Sequence, residues 1–144
     1  MKVYKNNPII DVTLRKFEKP YEEGDELIRK FCMSIGILQP GDSRDTVVQI
    51  MKVLIRNREI KVFMDSKEIW DLVKDNRDIA HSNVRRHLNK MEKIGFVERT
   101  SQGYRLREWL SLEEIISEFF EKYVITQTLE RIKEYASKID SLRF

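Results

Sequence analysis

The sequence predicts a mainly helical α+β fold: three helices and a β-hairpin, with flanking helices added at both ends. Three observations predict it. Between Ser43 and Ile94, apolar residues recur at three- and four-residue spacing in three separate runs. Two short strand signals then flank Ser101-Gln102-Gly103. Glycine and proline together make only 8 of 144 residues, so the chain is built of ordered elements.

Each element has its own signal. Residues 8–17 alternate, with Ile10, Val12 and Leu14 on one face and Asp11, Thr13 and Arg15 on the other, which predicts a strand ended by Pro20. Glu22 to Ile35 predicts a helix. Its start is acidic, in accord with the helix dipole, and Leu27, Ile28, Phe31, Cys32 and Ile35 form its apolar stripe. Gly36 stops it, and Gln39-Pro40-Gly41 is a turn closing an N-terminal extension over 1–41.

The central domain is expected over 42–108. Its first helix opens near Ser43, with Asp42 or Ser43 as cap, and ends near Asn57. Glu59 to Met64 alternates and predicts a short strand. Asp65 to Glu68 is a capping box that opens a helix to about Lys74, with Ile69, Trp70, Leu72 and Val73 inward. A polar turn over 75–78 breaks it. The next helix runs over 82–94 and Gly95 stops it. Phe96 to Thr100 and Tyr104 to Arg107 then form the hairpin, with Gly103 where a positive φ is needed.

A C-terminal extension is expected over 109–144. Ser111 to Glu114 is a second capping box, with Leu110 and Ile115 as hydrophobic staple. Ile115, Ile116, Phe119 and Phe120 make the following helix strongly apolar on one side. Val124-Ile125-Thr126 predicts a break. Leu129, Ile132, Ala136 and Ile139 then repeat like a short heptad seam in a last helix over 127–141.

Charge is unevenly placed. Residues 80–107 carry seven cations and two acids, whereas 108–144 carry five cations and eight acids. A basic patch of this kind suits a polyanion at one place. No apolar run approaches a membrane span and no secretory leader is visible, so a cytoplasmic location without membrane contact is expected. Cys32 is the only cysteine, which excludes an intrachain disulfide and a cysteine-rich zinc site. His81 and His87 lack the spacing of helical metal ligands. No phosphate-binding glycine loop or catalytic motif occurs, so no metal, cofactor or enzymatic activity is expected.

The element order from Ser43, the stretch from Ser82 to Arg99 (SNVRRHLNKMEKIGFVER) and the returning strand 103–106 (GYRL) resemble the winged helix-turn-helix domain over residues 43–107. As a whole the chain is similar to small transcription regulators of archaea and bacteria, nearest the arsenic-repressor and multiple-antibiotic-resistance types. The resemblance implies a recognition helix over 82–94 in the major groove and a wing over 96–107 on the backbone or minor groove. It carries over no cysteine-based sensing, because the cysteine pairs are missing.

Helical geometry assigns the faces. Val84, Leu88 and Met91 share a sector that must face the core. Ser82, Arg86, Asn89 and Lys93 lie opposite, flanked by Asn83, Arg85 and Lys90. Arginine and asparagine can pair with guanine and adenine edges, so Arg85, Arg86 and Asn89 are expected to read bases. Lys90, Lys93, Arg99, Arg105 and Arg107 are expected on phosphates, with Ser82, Asn83 and Gln102 completing the contact set. The expected partner is double-stranded DNA, bound by a homodimer formed through the C-terminal helices. The alternative is a module that binds RNA, a ribosome or a protein of the transcription or replication machinery. For the C-terminal helices, the alternative to dimerisation is packing on Leu27, Phe31 and Ile35.

Overall fold

A computed structural model of the chain describes residues 11–39, 45–75 and 78–144. The predicted strand residues 8–10, the turn at Pro40-Gly41, the proposed caps Asp42 and Ser43, and positions 76–77 of the polar turn lie outside the described residues. The elements are α1 (Gly24–Ser34), α2 (Thr46–Ile60), α3 (Ser66–Val73), α4 (His81–Lys93), β1 (Val97–Thr100) and β2 (Gly103–Leu106). A 3-10 turn follows at Arg107–Trp109. Then come α5 (Leu112–Ile115), a π-helical segment (Ile116–Thr126) and α6 (Gln127–Asp140). The fold is mainly helical, with one two-stranded antiparallel sheet among the described residues.

α2 is the central helix. Val47, Val48, Ile50, Met51 and Leu54 are all buried, so it presents apolar side chains over more than one face. It packs against α1, α3, α4 and β2. α4 meets this core through Val84, Leu88 and Met91, each 0% exposed, as their spacing requires. Both predicted capping boxes form. The Asp65 side chain accepts from the Glu68 N–H at 2.8 Å, and the Ser111 hydroxyl accepts from the Glu114 N–H at 3.1 Å. Cys32 is fully buried, and burial pushes its thiol up to about 12, as suits an inert core residue.

Three expected local structures fail, and Leu72, expected inward on α3, is exposed. Residues 11–17 form no strand. They pass beside the end of α1, where the Arg15 N–H bonds the Ser34 carbonyl, and among the described residues no neighbouring strand offers them a ladder. The strand over 59–64 is also missing. α2 continues to Ile60, Lys61 turns the chain in the left-handed region, and only Met64 pairs, in a single bridge with Tyr104. That bridge is tight. A Cβ on Gly103 (φ 128°) would lie 2.5 Å from the Met64 carbonyl carbon, so glycine is required there.

The third failure is the break at Val124-Ile125-Thr126. The chain stays helical and widens to i→i+5 bonding instead. The sequence explains why. Ile115-Ile116, Phe119-Phe120 and Val124-Ile125 recur four and five residues apart, a period too long for an α-helix. The wider helix keeps them on one side, where Ile115, Phe120 and Val124 are buried. Phe120 meets Phe96 at 5.4 Å between ring centroids, and Phe96 meets Phe31 at 5.9 Å. The first part of the C-terminal extension therefore packs within the chain. α6 does not: Leu129, Ile132, Tyr135 and Ile139 are all exposed.

Candidate nucleic-acid interface

α4 begins after Ala80, whose extended backbone caps it without a side-chain bond. Two contacts fix its start. His81 Nε2 lies 3.0 Å from Ser66 Oγ at the opening of α3, and Trp70 Nε1 donates to the Ile79 carbonyl at 2.7 Å. His81 therefore ties two helix starts together and stacks obliquely on Trp70. With one face of α4 buried, the other must point outward. Ser82, Arg85, Arg86, Asn89, Lys90 and Lys93 line one shallow groove there.

A second, more polar groove runs between α4, the start of α3 and the hairpin. Asp65, Ser66, Arg85, Asn89, Arg99, Gln102 and Tyr104 contribute to it. Arg85 and Asn89 line both grooves, so the two form one continuous surface. The hairpin tip is held firmly beside it. Thr100 Oγ1 accepts from the Gln102 N–H at 3.1 Å and donates to the Gly103 carbonyl at 3.0 Å. Among the described residues no carboxylate forms an ion pair with Arg85, Arg86, Lys90, Lys93 or Arg99. Their charge is available to a polyanion.

Eight of the eleven residues predicted for the site line this surface: Ser82, Arg85, Arg86, Asn89, Lys90, Lys93, Arg99 and Gln102. Asn83 stands beside it and accepts from Arg86 Nη2 at 2.8 Å, which orients that guanidinium. Arg105 and Arg107 are elsewhere. Arg105 Nε and Nη2 each lie 3.1 Å from Glu98 Oε1, and its guanidinium faces the rings of Phe63 and Trp109. Arg107 is bonded to Gly95 and lies near Glu98. Both arginines are engaged within the protein.

Sequence reasoning missed Asp65, Ser66, Thr100 and Tyr104 as lining residues. Asp65 was legible as a helix cap, but a cap says nothing about which groove it borders. The partnering of Arg105 did carry a signal. A two-residue turn at Ser101-Gln102 places Glu98 directly opposite Arg105.

The family model for the ribonuclease R winged-helix domain matches residues 48–113. This region is a winged helix. In it α3 and α4 form the helix-turn-helix, and β1 and β2 are the wing. The match begins inside α2 and ends in the first turn of α5, so α1 and α6 lie outside it. No curated protein and no solved structure gives a significant match to the chain. Among the described residues, no helix of the winged-helix region or its extensions is long and apolar enough to cross a membrane.

Proposed function

We propose that this winged helix binds duplex DNA in a sequence-dependent way, and that the chain acts as a non-enzymatic transcription regulator of the arsenic-repressor or multiple-antibiotic-resistance kind. One observation carries the reading: among the described residues no carboxylate pairs with the cations on the outward face of α4, and that face runs into the groove under the wing. The major groove of B-DNA admits an α-helix. Seated there, Arg85, Arg86 and Asn89 reach base edges. Lys90, Lys93 and Arg99 take phosphates, Ser82 supports them from the start of α4, and Gln102 at the wing tip reaches the backbone or minor groove. The exposed seam of α6 supports a homodimer, which would set two recognition helices about 34 Å apart on one face of DNA.

The test is selection from random duplex DNA at near-physiological salt, followed by sequencing. The expected result is an enriched palindrome with half-sites about one helical turn apart. Three phosphate contacts per subunit predict a log–log salt slope of roughly −5 for a dimer. Retention without a motif would leave a backbone binder, and a slope near zero would sink the reading.

A second reading is favoured by the family match, because ribonuclease R is named for action on RNA. In it the same face holds RNA. The major groove of A-form RNA is too deep and narrow for side chains to read, so unpaired segments would be the target. A parallel selection from a structured RNA library separates the two.

A further inference from the structure

Beyond its core packing and the Met64–Tyr104 bridge, the wing is tied to two other elements by one side chain. Arg107 follows directly after β2. Its Nε donates to the carbonyl of Gly95, the residue that stops α4, at 2.7 Å. Its Nη1 lies 3.8 Å from the carboxylate of Glu98 on β1. Its guanidinium stands 4.4 Å from the ring centroid of Phe119 in the π segment. One residue thus touches the end of α4, the wing and the C-terminal helix. The next two reinforce the joint. Glu108 and Trp109 take left-handed backbone angles, φ 51° and 60°, which disfavour residues carrying a Cβ. Glu98 holds that turn by accepting the Glu108 N–H at 2.8 Å.

We propose that Arg107 is a positioning residue. It sets the wing against α4 and couples that setting to the seating of Phe119, so nucleic-acid affinity depends on the C-terminal helix. Arg107 does not touch the nucleic acid: Glu98 offsets its charge, the Gly95 carbonyl accepts its Nε–H and Phe119 lies against its guanidinium. The proposal rests on the nucleic-acid reading given above.

The experiment measures binding of a labelled DNA duplex and a labelled structured RNA across a salt series. The proteins are the wild type, Lys93→Gln, Arg107→Gln, Arg107→Lys, Phe119→Leu and the double variant Arg107→Gln/Phe119→Leu. Each is first checked for cooperative thermal unfolding. Lys93→Gln, a phosphate contact, should lower the salt slope by about 1. Arg107→Gln should weaken binding by about three- to tenfold at every salt concentration and leave the slope unchanged. Arg107→Lys keeps the charge but not the planar fork, so it should lose affinity too. Phe119→Leu, at a residue that lines neither basic groove, should show the same pattern, and the double variant should lose less than the sum of the singles.

The proposal is overturned if Arg107→Gln lowers the slope by about 1 and lysine restores it, or if affinity does not change. If Arg107→Gln does not fold, Arg107→Lys and Phe119→Leu decide alone: loss of affinity at constant slope supports the joint, and unchanged affinity rejects it. If the wild type binds neither nucleic acid, the reading above has failed. The joint is then judged by Trp109 emission in a Trp70→Phe background. A shift on Arg107→Gln upholds the coupling of wing and helix, and an unchanged spectrum rejects it.

Discussion

The cations of α4 and the two arginines at the base of the wing carry the same charge and lie close together in sequence, yet their situations are opposite. Lys90 and Lys93 stand on an outward face without an ion-pair partner among the described residues. Arg105 and Arg107 converge on a single carboxylate, Glu98, and cover aromatic rings. The difference teaches that a count of basic residues does not mark an interface. An arginine is available to a ligand only where the fold has left its donors and its charge unmatched.

The largest effect that bears on this contrast is expected on α4. Arg85→Ala should cost about 1–3 kcal/mol of binding to a preferred DNA site and relax base preference, measured by competition between duplexes. Equal loss on every sequence would move Arg85 to the backbone contacts. Next comes Glu98→Gln, which removes the shared partner of both wing arginines. It should destabilise the fold by about 1–2 kcal/mol in urea unfolding, a figure moderated by the partial exposure of the pairs. If stability held and the DNA salt slope steepened, the wing arginines would belong with the α4 set after all.

A smaller loss of about 1 kcal/mol is expected from Ser111→Ala, which uncaps α5 just behind the joint. Its pH signature is specific. The N–H and hydroxyl of Ser111 hold the Glu114 carboxyl below the usual carboxylate range. A lowered native value means that this contribution is complete above the ordinary range and fades as pH falls through the native value. Ser111→Ala keeps the backbone N–H, the larger cause, and loses only the hydroxyl, so it should weaken that acid limb of the stability profile in part, and an unchanged limb would place the effect elsewhere. The smallest change is expected from Lys90→Gln. Stability should stay within about 0.5 kcal/mol while the salt slope drops by about 1, the reverse of Glu98→Gln.

The helices and the basic face were legible because both depend on spacing within one element. Val84, Leu88 and Met91 turn α4 the right way from periodicity alone, and Asp65 and Ser111 announce their helix starts. What escaped depends on distant neighbours. Residues 11–17 alternate like a strand, but alternation does not supply a partner. Glu59 to Met64 alternates too, yet α2 absorbs its first two residues and Tyr104 bonds one of the rest. The wing arginines point away from the core as alternation requires; the two-residue turn sets Glu98 opposite Arg105, and only the folded chain shows that Arg107 lies near the same carboxylate. Val124-Ile125-Thr126 looks like a helix breaker until the apolar pairs before it are seen to recur at a longer period, which a wider helix can follow.

The π segment also makes the direction of α6 sensitive to chain length. The pairs from Ile115 to Val124 grip the domain, while the seam from Leu129 to Ile139 is carried beyond it. One residue added or removed in an exposed position between them would rotate everything downstream by roughly 100°. The winged helix would keep its core, but its seam would face a different compass bearing. Among descendants of such a chain, single insertions and deletions here would act as phase shifts, changing the bearing of the exposed apolar seam before any of its residues had mutated.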